Sequence, residues 1–335
     1  MDKMLSALRF WLLLVTYKRS AALVTEFTAS SGRSGLRLMI VGLGRVGSDC
    51  AEIALGHFDA VYGTVRSMDK VQPEGGDGIT RIPFHANSIC PLLSELTHML
   101  ITVPRPKEPD DNLDLILREI QAGIPSKSWI GLISTTGVYG NHDGTWVTED
   151  SPLLCAQGSN AFLYTAYEQL WEKWAATRDQ QLAIFRCAGI YDSSRSALHT
   201  IFRDGYSSSS VSPRDDVTNR IHSKDIARAV LASMLKVKSP HQTRVYNLAD
   251  NLPESRSTVL AYAADLLRGK GVPIKEQNRA SDSLSVRGRR RLEDRKMVSN
   301  MRMQEELLPD GLLFPTYREG LKAILEDRTT PWHHL

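Results

Sequence analysis

Three glycines in a G-x-G-x-x-G spacing, Gly42, Gly44 and Gly47, are the residues whose types and spacing speak most directly to chemistry. They follow the apolar run Leu36-Arg37-Leu38-Met39-Ile40-Val41 and open a helical segment, Val46 to Leu55, which leads to a second apolar strand, Ala60 to Val65. A strand that enters a helix through such a turn is suited to a dinucleotide. Gly42 permits the tight turn, Gly44 lets the backbone approach a pyrophosphate, and Gly47 lets the helix pack close to the strand. Leu43, Arg45 and Val46 complete the turn, and the amides at the helix N-terminus face the phosphate charge.

The end of the second strand bears on which dinucleotide. An acidic residue there accepts hydrogen bonds from the ribose 2′-hydroxyl of NAD, whereas a cation accommodates the 2′-phosphate of NADP. The chain reads Gly63-Thr64-Val65-Arg66-Ser67, with no carboxylate at the tip. Arg66 and the hydroxyls of Thr64 and Ser67 supply the donors a phosphate needs, so charge favours NADP. NAD remains the alternative, with Asp69 as a displaced ribose ligand and Arg66 as a solvated loop cation.

Beyond this turn the chemistry-bearing residues are scattered. Cys50, Cys90, Cys155 and Cys187 lie far apart, without CxxC or metal-ligand spacing, and read as reduced thiols in an intracellular compartment, with no metal implied. His222, in RIHSKDIA, has no second histidine, cysteine or carboxylate at ligand or triad spacing, and reads as a loop histidine bonding backbone near a helix start. Arg287, Arg289, Arg290, Arg291, Arg295 and Lys296 form a basic run, but Glu293 and Asp294 interrupt it and aromatics are absent, which fits a solvated surface better than nucleic-acid binding.

The frame that positions these residues is a 335-residue chain, 42% hydrophobic, long enough for one large α/β domain with an appended lobe. Its net charge of +3 is too balanced to argue for nucleic acid as a partner. Residues 1–35 stand apart as an N-terminal extension, with the apolar run Phe10 to Val15 followed by Lys18, Arg19 and Arg33; an organellar presequence for plastid or mitochondrion and a disordered extension of a cytoplasmic protein are both open readings. The apolar run is far shorter than the roughly 20 residues that span a bilayer.

Further strands are expected at Ile79 to Ile82, His98 to Val103, Trp129 to Ser134, Leu182 to Arg186 and Val245 to Leu248. Helices are expected around Ile89 to Leu96, at Leu113 to Ile120, Ala161 to Thr177, Lys224 to Leu235 (capped by Ser223), Ser257 to Leu267, Asn300 to Leu307 and Tyr317 to Glu326. Strands alternating with helices predict a doubly wound parallel Rossmann sheet over residues 36–190 and a smaller substrate lobe over 191–330, with 221–248 returning to the sheet. Ligands in such sheets lie at the carboxyl ends of the strands, which places Gly42, Arg66, Thr102, Val103 and Thr135 around one crevice.

Taken together, GLGRVG at Gly42, ISTTGVYG at Ile133 to Gly140, FRCAGIYDSSRS at Phe185 to Ser196, RIHSKDIARAV at Arg220 to Val230, VYNLAD at Val245 to Asp250, and the tail blocks KMVSNMRMQEEL and FPTYREGL resemble the short-chain dehydrogenase/reductase superfamily in its extended or atypical form, the NAD-dependent epimerase/dehydratase-like proteins. The resemblance implies a Ser or Thr after the fifth strand, matched by Thr135, and substrate-facing positions at Thr136 and Tyr139. It also implies a YxxxK pair in which the Tyr hydroxyl is the acid/base and the Lys lowers its pKa. That pair is missing. Counted back from Glu168, which matches the family's helix glutamate, the Tyr position holds Asn160 and the Lys position Tyr164. Asn does not titrate, and a phenol near pKa 10 carries no positive charge. Any acid/base work then falls to Thr135, to Tyr164 or to the substrate itself, and Tyr167 reads as packing. The resemblance implies a small oxygenated substrate, sugar-derived among the options, and a homodimer through the long helices; loss of the pair leaves open a non-catalytic NAD(P)-binding sensor or scaffold.

Overall fold

The computed structural model describes residues 35–67, 77–104, 111–178, 180–206, 217–236, 243–275 and 295–334. The expectations for residues 1–34, for Asp69 and for Arg287 to Arg291 lie outside them. From the N-terminal side the elements are β1 (Arg37–Val41), α1 (Arg45–Ala54), β2 (Ala60–Val65), β3 (Ile79–Pro83), α2 (Ala86–Ile89), β4 (His98–Ile101), α3 (Asp111–Gly123), β5 (Trp129–Thr135), β6 (Trp146–Val147) and α4 (Asn160–Arg178). There follow β7 (Gln181–Cys187), β8 (Gly189–Tyr191), α5 (Ala197–Asp204), β9 (Val217–Thr218), β10 (Arg220–His222), α6 (Ser223–Leu235), β11 (Thr243–Leu248), β12 (Glu254–Ser255), α7 (Arg256–Gly269), β13 (Met297–Val298), α8 (Met301–Glu306) and α9 (Tyr317–Glu326).

Seven strands pair in the order β11-β7-β5-β4-β1-β2-β3, and every pairing in that sheet is parallel. Parallel strands need both faces covered, and β1 shows how the sequence meets that demand. Its alternate residues go to opposite layers. Leu38 and Ile40 join Cys50 and Ala51 of α1 and Ile226 and Val230 of α6, while Met39 and Val41 join Ile116 and Ile120 of α3 and Trp171 of α4. This is the doubly wound α/β fold. A third apolar cluster, including Leu198 of α5, Val259 and Leu267 of α7, and Leu321 and Ile324 of α9, lies apart from both sheet layers.

Three two-stranded sheets join distant segments: β8 with β10, β6 with β13, and β9 with β12. The helix expected around Ile89 to Leu96 is instead the single turn α2 followed by a 3₁₀ helix, Cys90–Glu95, with Pro91 in its first turn, where a missing N–H is tolerated. At α6 the cap is not Ser223. Ser223 is the first helical residue, and the ring of His222 takes the capping role by accepting from the Lys224 amide at 3.1 Å.

Close packing of α1 on β1 depends on Gly47. A Cβ built there would meet the Gly42 carbonyl oxygen at 2.1 Å, and a backbone oxygen in a tight turn cannot give way as a side chain can. Gly47→Ala should therefore lower folding stability by about 2 kcal/mol or more, in the range of overpacked cores, as a shift of the urea midpoint at unchanged m-value. A change within about 0.5 kcal/mol would show that the turn is looser than described.

Candidate dinucleotide and active site

The glycine turn is held from behind by two threonines. Gly42 has φ +107°, and its amide donates to Thr64 Oγ1 at 2.8 Å. The hydroxyl of Thr102 donates to the Gly42 carbonyl at 2.5 Å, and the Leu43 amide donates to the Thr64 carbonyl at 2.8 Å. Thr64, read from sequence as a phosphate donor, is buried and serves the turn instead. A Cβ on Gly42 would come within 2.9 Å of Val103, which puts Val103 and Thr102 against the turn. Gly63 has a role that sequence reading missed: its lack of a side chain makes room for Leu43, whose Cδ1 lies 2.3 Å from where a Cβ would be.

Gly44 differs from its two neighbours. Its backbone is extended (φ −84°), and a Cβ there would meet nothing within 4 Å. Open space stands directly beside the first turn of α1, which has no side-chain cap and no acidic residue. Uncapped helix-start amides beside an open glycine form a cradle for a phosphate group, so the residues present fit a dinucleotide. Val46 and Gly47 are buried against the sheet, whereas Arg45 is exposed with its guanidinium 3.1 Å from Asp192. Arg66 and Ser67 are exposed where the chain leaves β2, and no carboxylate pairs with Arg66 among the described residues.

At the end of β5, Thr135 is half-buried and accepts the Gly137 amide at 3.1 Å, capping the short 3₁₀ turn Thr136–Tyr139. An acceptor role leaves its hydroxyl proton available to donate. Thr136 and Tyr139, expected to face a substrate, are buried. Tyr139 is engaged at both valences of its hydroxyl, donating to Asn247 Oδ1 at 2.6 Å and accepting from Arg186 at 3.0 Å, so packing and hydrogen bonding explain it without a ligand. Asn160 begins α4 and is exposed. Tyr164, one helical turn on, packs against the sheet core, and burial together with the nearby Cys187 thiol pushes its hydroxyl above the usual range for a phenol. Tyr164 is therefore held protonated at neutral pH. It can donate a hydrogen bond but not act as a base. Tyr167 is buried with its ring 6.3 Å from that of Trp171, in agreement with a packing role. His222 is buried, and desolvation pushes its pKa down to about 4.

Glu168 anchors a buried network that sequence reading did not foresee. It is 2% exposed and meets Arg186, 5% exposed, with Nη2 to Oε2 at 2.8 Å and Nε to Oε2 at 3.2 Å. Ser134 donates to the other carboxylate oxygen, and Arg186 also reaches the Glu149 carbonyl at 3.3 Å. The Glu149 side chain in turn accepts the Asn247 amide at 2.8 Å. These contacts tie β5, α4, β7 and β11 together at the carboxyl edge of the sheet.

Neither the protein-family models nor the curated protein sequences contain a match to this chain. Solved structures do match. A functionally unknown conserved protein from Silicibacter pomeroyi DSS shares 29% identity at a TM-score of 0.72, over 88% of this chain and 99% of that one. A putative NAD-dependent epimerase/dehydratase from Methylobacillus flagellatus shares 21% at 0.65, over 87% and 98%. MoeE5 in complex with UDP-glucuronic acid and NAD shares 17% at 0.65, over 89% and 99%. The α/β fold described above is one that these solved structures share. Thr135 stands at the end of the fifth strand in chain order, and Asn160, Tyr164 and Glu168 lie on the following helix.

Removing one member of a buried pair leaves the other charge stranded. Arg186→Met should cost about 3–5 kcal/mol of folding stability, whereas the double change Arg186→Met with Glu168→Leu should recover a large part of it. Chemical denaturation of the two variants measures both; a single variant within about 1 kcal/mol of the original protein would mean that the pair is not the anchor of this edge.

Proposed function

We propose that this chain binds NADP(H) on the glycine turn and acts as an epimerase/dehydratase- or reductase-like protein on a small oxygenated substrate, sugar-derived compounds included, without the superfamily's Tyr-Lys pair. The observation that carries the cofactor half is the open cradle at Gly44 beside the uncapped start of α1. The preference for NADP over NAD rests on Arg66, exposed at the strand tip where an acidic residue would otherwise stand. Bound there, the nicotinamide ring would supply hydride transfer. The residues of this chain then have limited acid/base capacity: Thr135 can donate a proton through its hydroxyl, Tyr164 can hold a substrate oxygen by a hydrogen bond, and neither withdraws a proton readily at neutral pH. Residues 191–330, apart from 221–248, would form the lobe that closes over a substrate. The exposed Leu115 on α3 and Phe162 and Leu170 on α4 support pairing of two copies through the long helices.

A second reading is favoured by the burial of Tyr164. A chain that keeps the cofactor turn and lacks a titrating acid/base is also suited to be an NAD(P)-binding sensor or scaffold.

Two expected outcomes separate these readings. A charge-assisted contact to the 2′-phosphate is worth about 1.5–3 kcal/mol, so NADPH should bind at least about tenfold more tightly than NADH, and Arg66→Ala should erase that difference. Equal affinities in the unaltered protein, measured by nicotinamide fluorescence, would remove the argument. Hydride transfer over a panel of sugars, aldehydes and ketones should fall about tenfold or more in Thr135→Val or Tyr164→Phe. Robust turnover in both variants would place the active site elsewhere, and no turnover beside tight NADPH binding would favour the sensor.

A further inference from the structure

A cavity of about 260 Å³ opens where α1, α6 and α9 converge at the carboxyl edge of the sheet. It is built by four segments. Arg45, Ser48 and Asp49 come from the face of α1 turned away from Val46, Gly47 and Cys50, which are buried against the sheet; Asp192 to Ser194 come from the turn after β8. His222, Ser223 and Lys224 supply the start of α6, and Phe314, Ala323 and Ile324 make an apolar floor beside Asp327.

One polar group here lacks the partner that burial demands. Ser223 is 1% exposed, and its hydroxyl lies close enough to Asp49 to favour the carboxylate but closes no hydrogen bond of ordinary geometry. The ring of His222 is 4% exposed and accepts the Lys224 amide at Nδ1, which places the proton of the neutral imidazole on Nε2. A buried donor or acceptor left unpaired costs about 1–3 kcal/mol, so such groups normally have a ligand or water.

The charges of the wall narrow the ligand. Arg45 is already paired with Asp192, and Asp327 accepts the Thr329 amide at 3.0 Å and its hydroxyl at 2.8 Å. Carboxylates outnumber the cations, which disfavours an anion, and among the described residues no group of three or more His, Cys, Asp or Glu is arranged to hold a metal ion. What remains is a mixture of hydroxyl and imidazole donors with one half-buried carboxylate acceptor, Asp49, over a small apolar floor. Hydroxyl groups satisfy donors and acceptors alike without bringing charge. At ~30 Å³ per water, the volume holds roughly nine waters, the space of one sugar ring.

We propose that this cavity is a binding site for a small uncharged polyol, no larger than a monosaccharide, held by His222, Ser223 and Asp49 against the Phe314 and Ile324 floor. Gly44 does not line it, though Arg45 of the same turn does; the inference does not rest on the cofactor reading.

Saturation-transfer NMR on the full-length protein with glycerol, xylitol, myo-inositol and glucose, and a phosphate titration as the anionic probe, tests it. At least one five- or six-carbon polyol should show transfer, with affinity reduced about tenfold in Ser223→Ala, the loss of one buried hydrogen bond. Ala323→Leu, which fills the cavity without removing a polar group, should abolish transfer. Unchanged thermal midpoints of both variants would show that they fold, and NADPH titration of the same samples reads the cofactor proposal separately. No transfer from any polyol, transfer that survives both variants, or binding of phosphate alone would overturn the assignment.

Discussion

The contact between Glu168 and Arg186 is the constraint around which the carboxyl edge of the sheet is arranged. Two charges this deeply buried lose their hydration, and only a fully bonded geometry compensates. Here the carboxylate takes bonds from Arg186 and Ser134, while the remaining reach of the guanidinium goes to Tyr139 and to the Glu149 carbonyl. Helix α4 is thereby pinned to β5 and β7 at one depth and rotation. The same helix carries Asn160 and Tyr164. Tyr139, which looks in the sequence like a pocket residue, is consumed by the same network.

On the other side of the edge a second constraint shapes the cofactor turn. Gly42 and Gly47 lack side chains because backbone and neighbours leave no room for them, whereas Gly44 lacks one where nothing protein-borne competes for the space. Steric demand within the fold explains the first two glycines. It does not explain the third, for which the proposed ligand's approach to the backbone would account. Thr64 and Thr102 hold this turn from the strand side, so their hydroxyls serve the cradle without lining it.

Much of this was legible in the sequence because it is local. β2 and the helix Tyr317–Glu326 fall where periodicity places them, since apolar alternation and a Thr316–Glu319 capping box are written in neighbouring residues. The short strands β6, β9, β12 and β13 were not legible: each is two residues long and exists through a partner far along the chain. The cap of α6 was misplaced by one residue because serine is the usual capping residue, and here a histidine held between Phe314 and Tyr191, with ring centroids at 4.2 and 5.1 Å, accepts the amide instead. At the site, the glycine spacing carried the turn correctly. The inward commitment of Thr64, Thr136 and Tyr139 came from hydrogen bonds to residues such as Cys187, Arg186 and Asn247, none of them visible from local pattern.

The central claim is that Gly44 is a glycine for a ligand rather than for the fold, and NADPH titration of Gly44→Val alongside its urea unfolding tests it most directly. Because the backbone there is extended and the space beside it open, the variant should stay within about 1 kcal/mol of the original stability while losing about 100-fold or more in NADPH affinity. A stable variant that still binds NADPH as before would contradict the account.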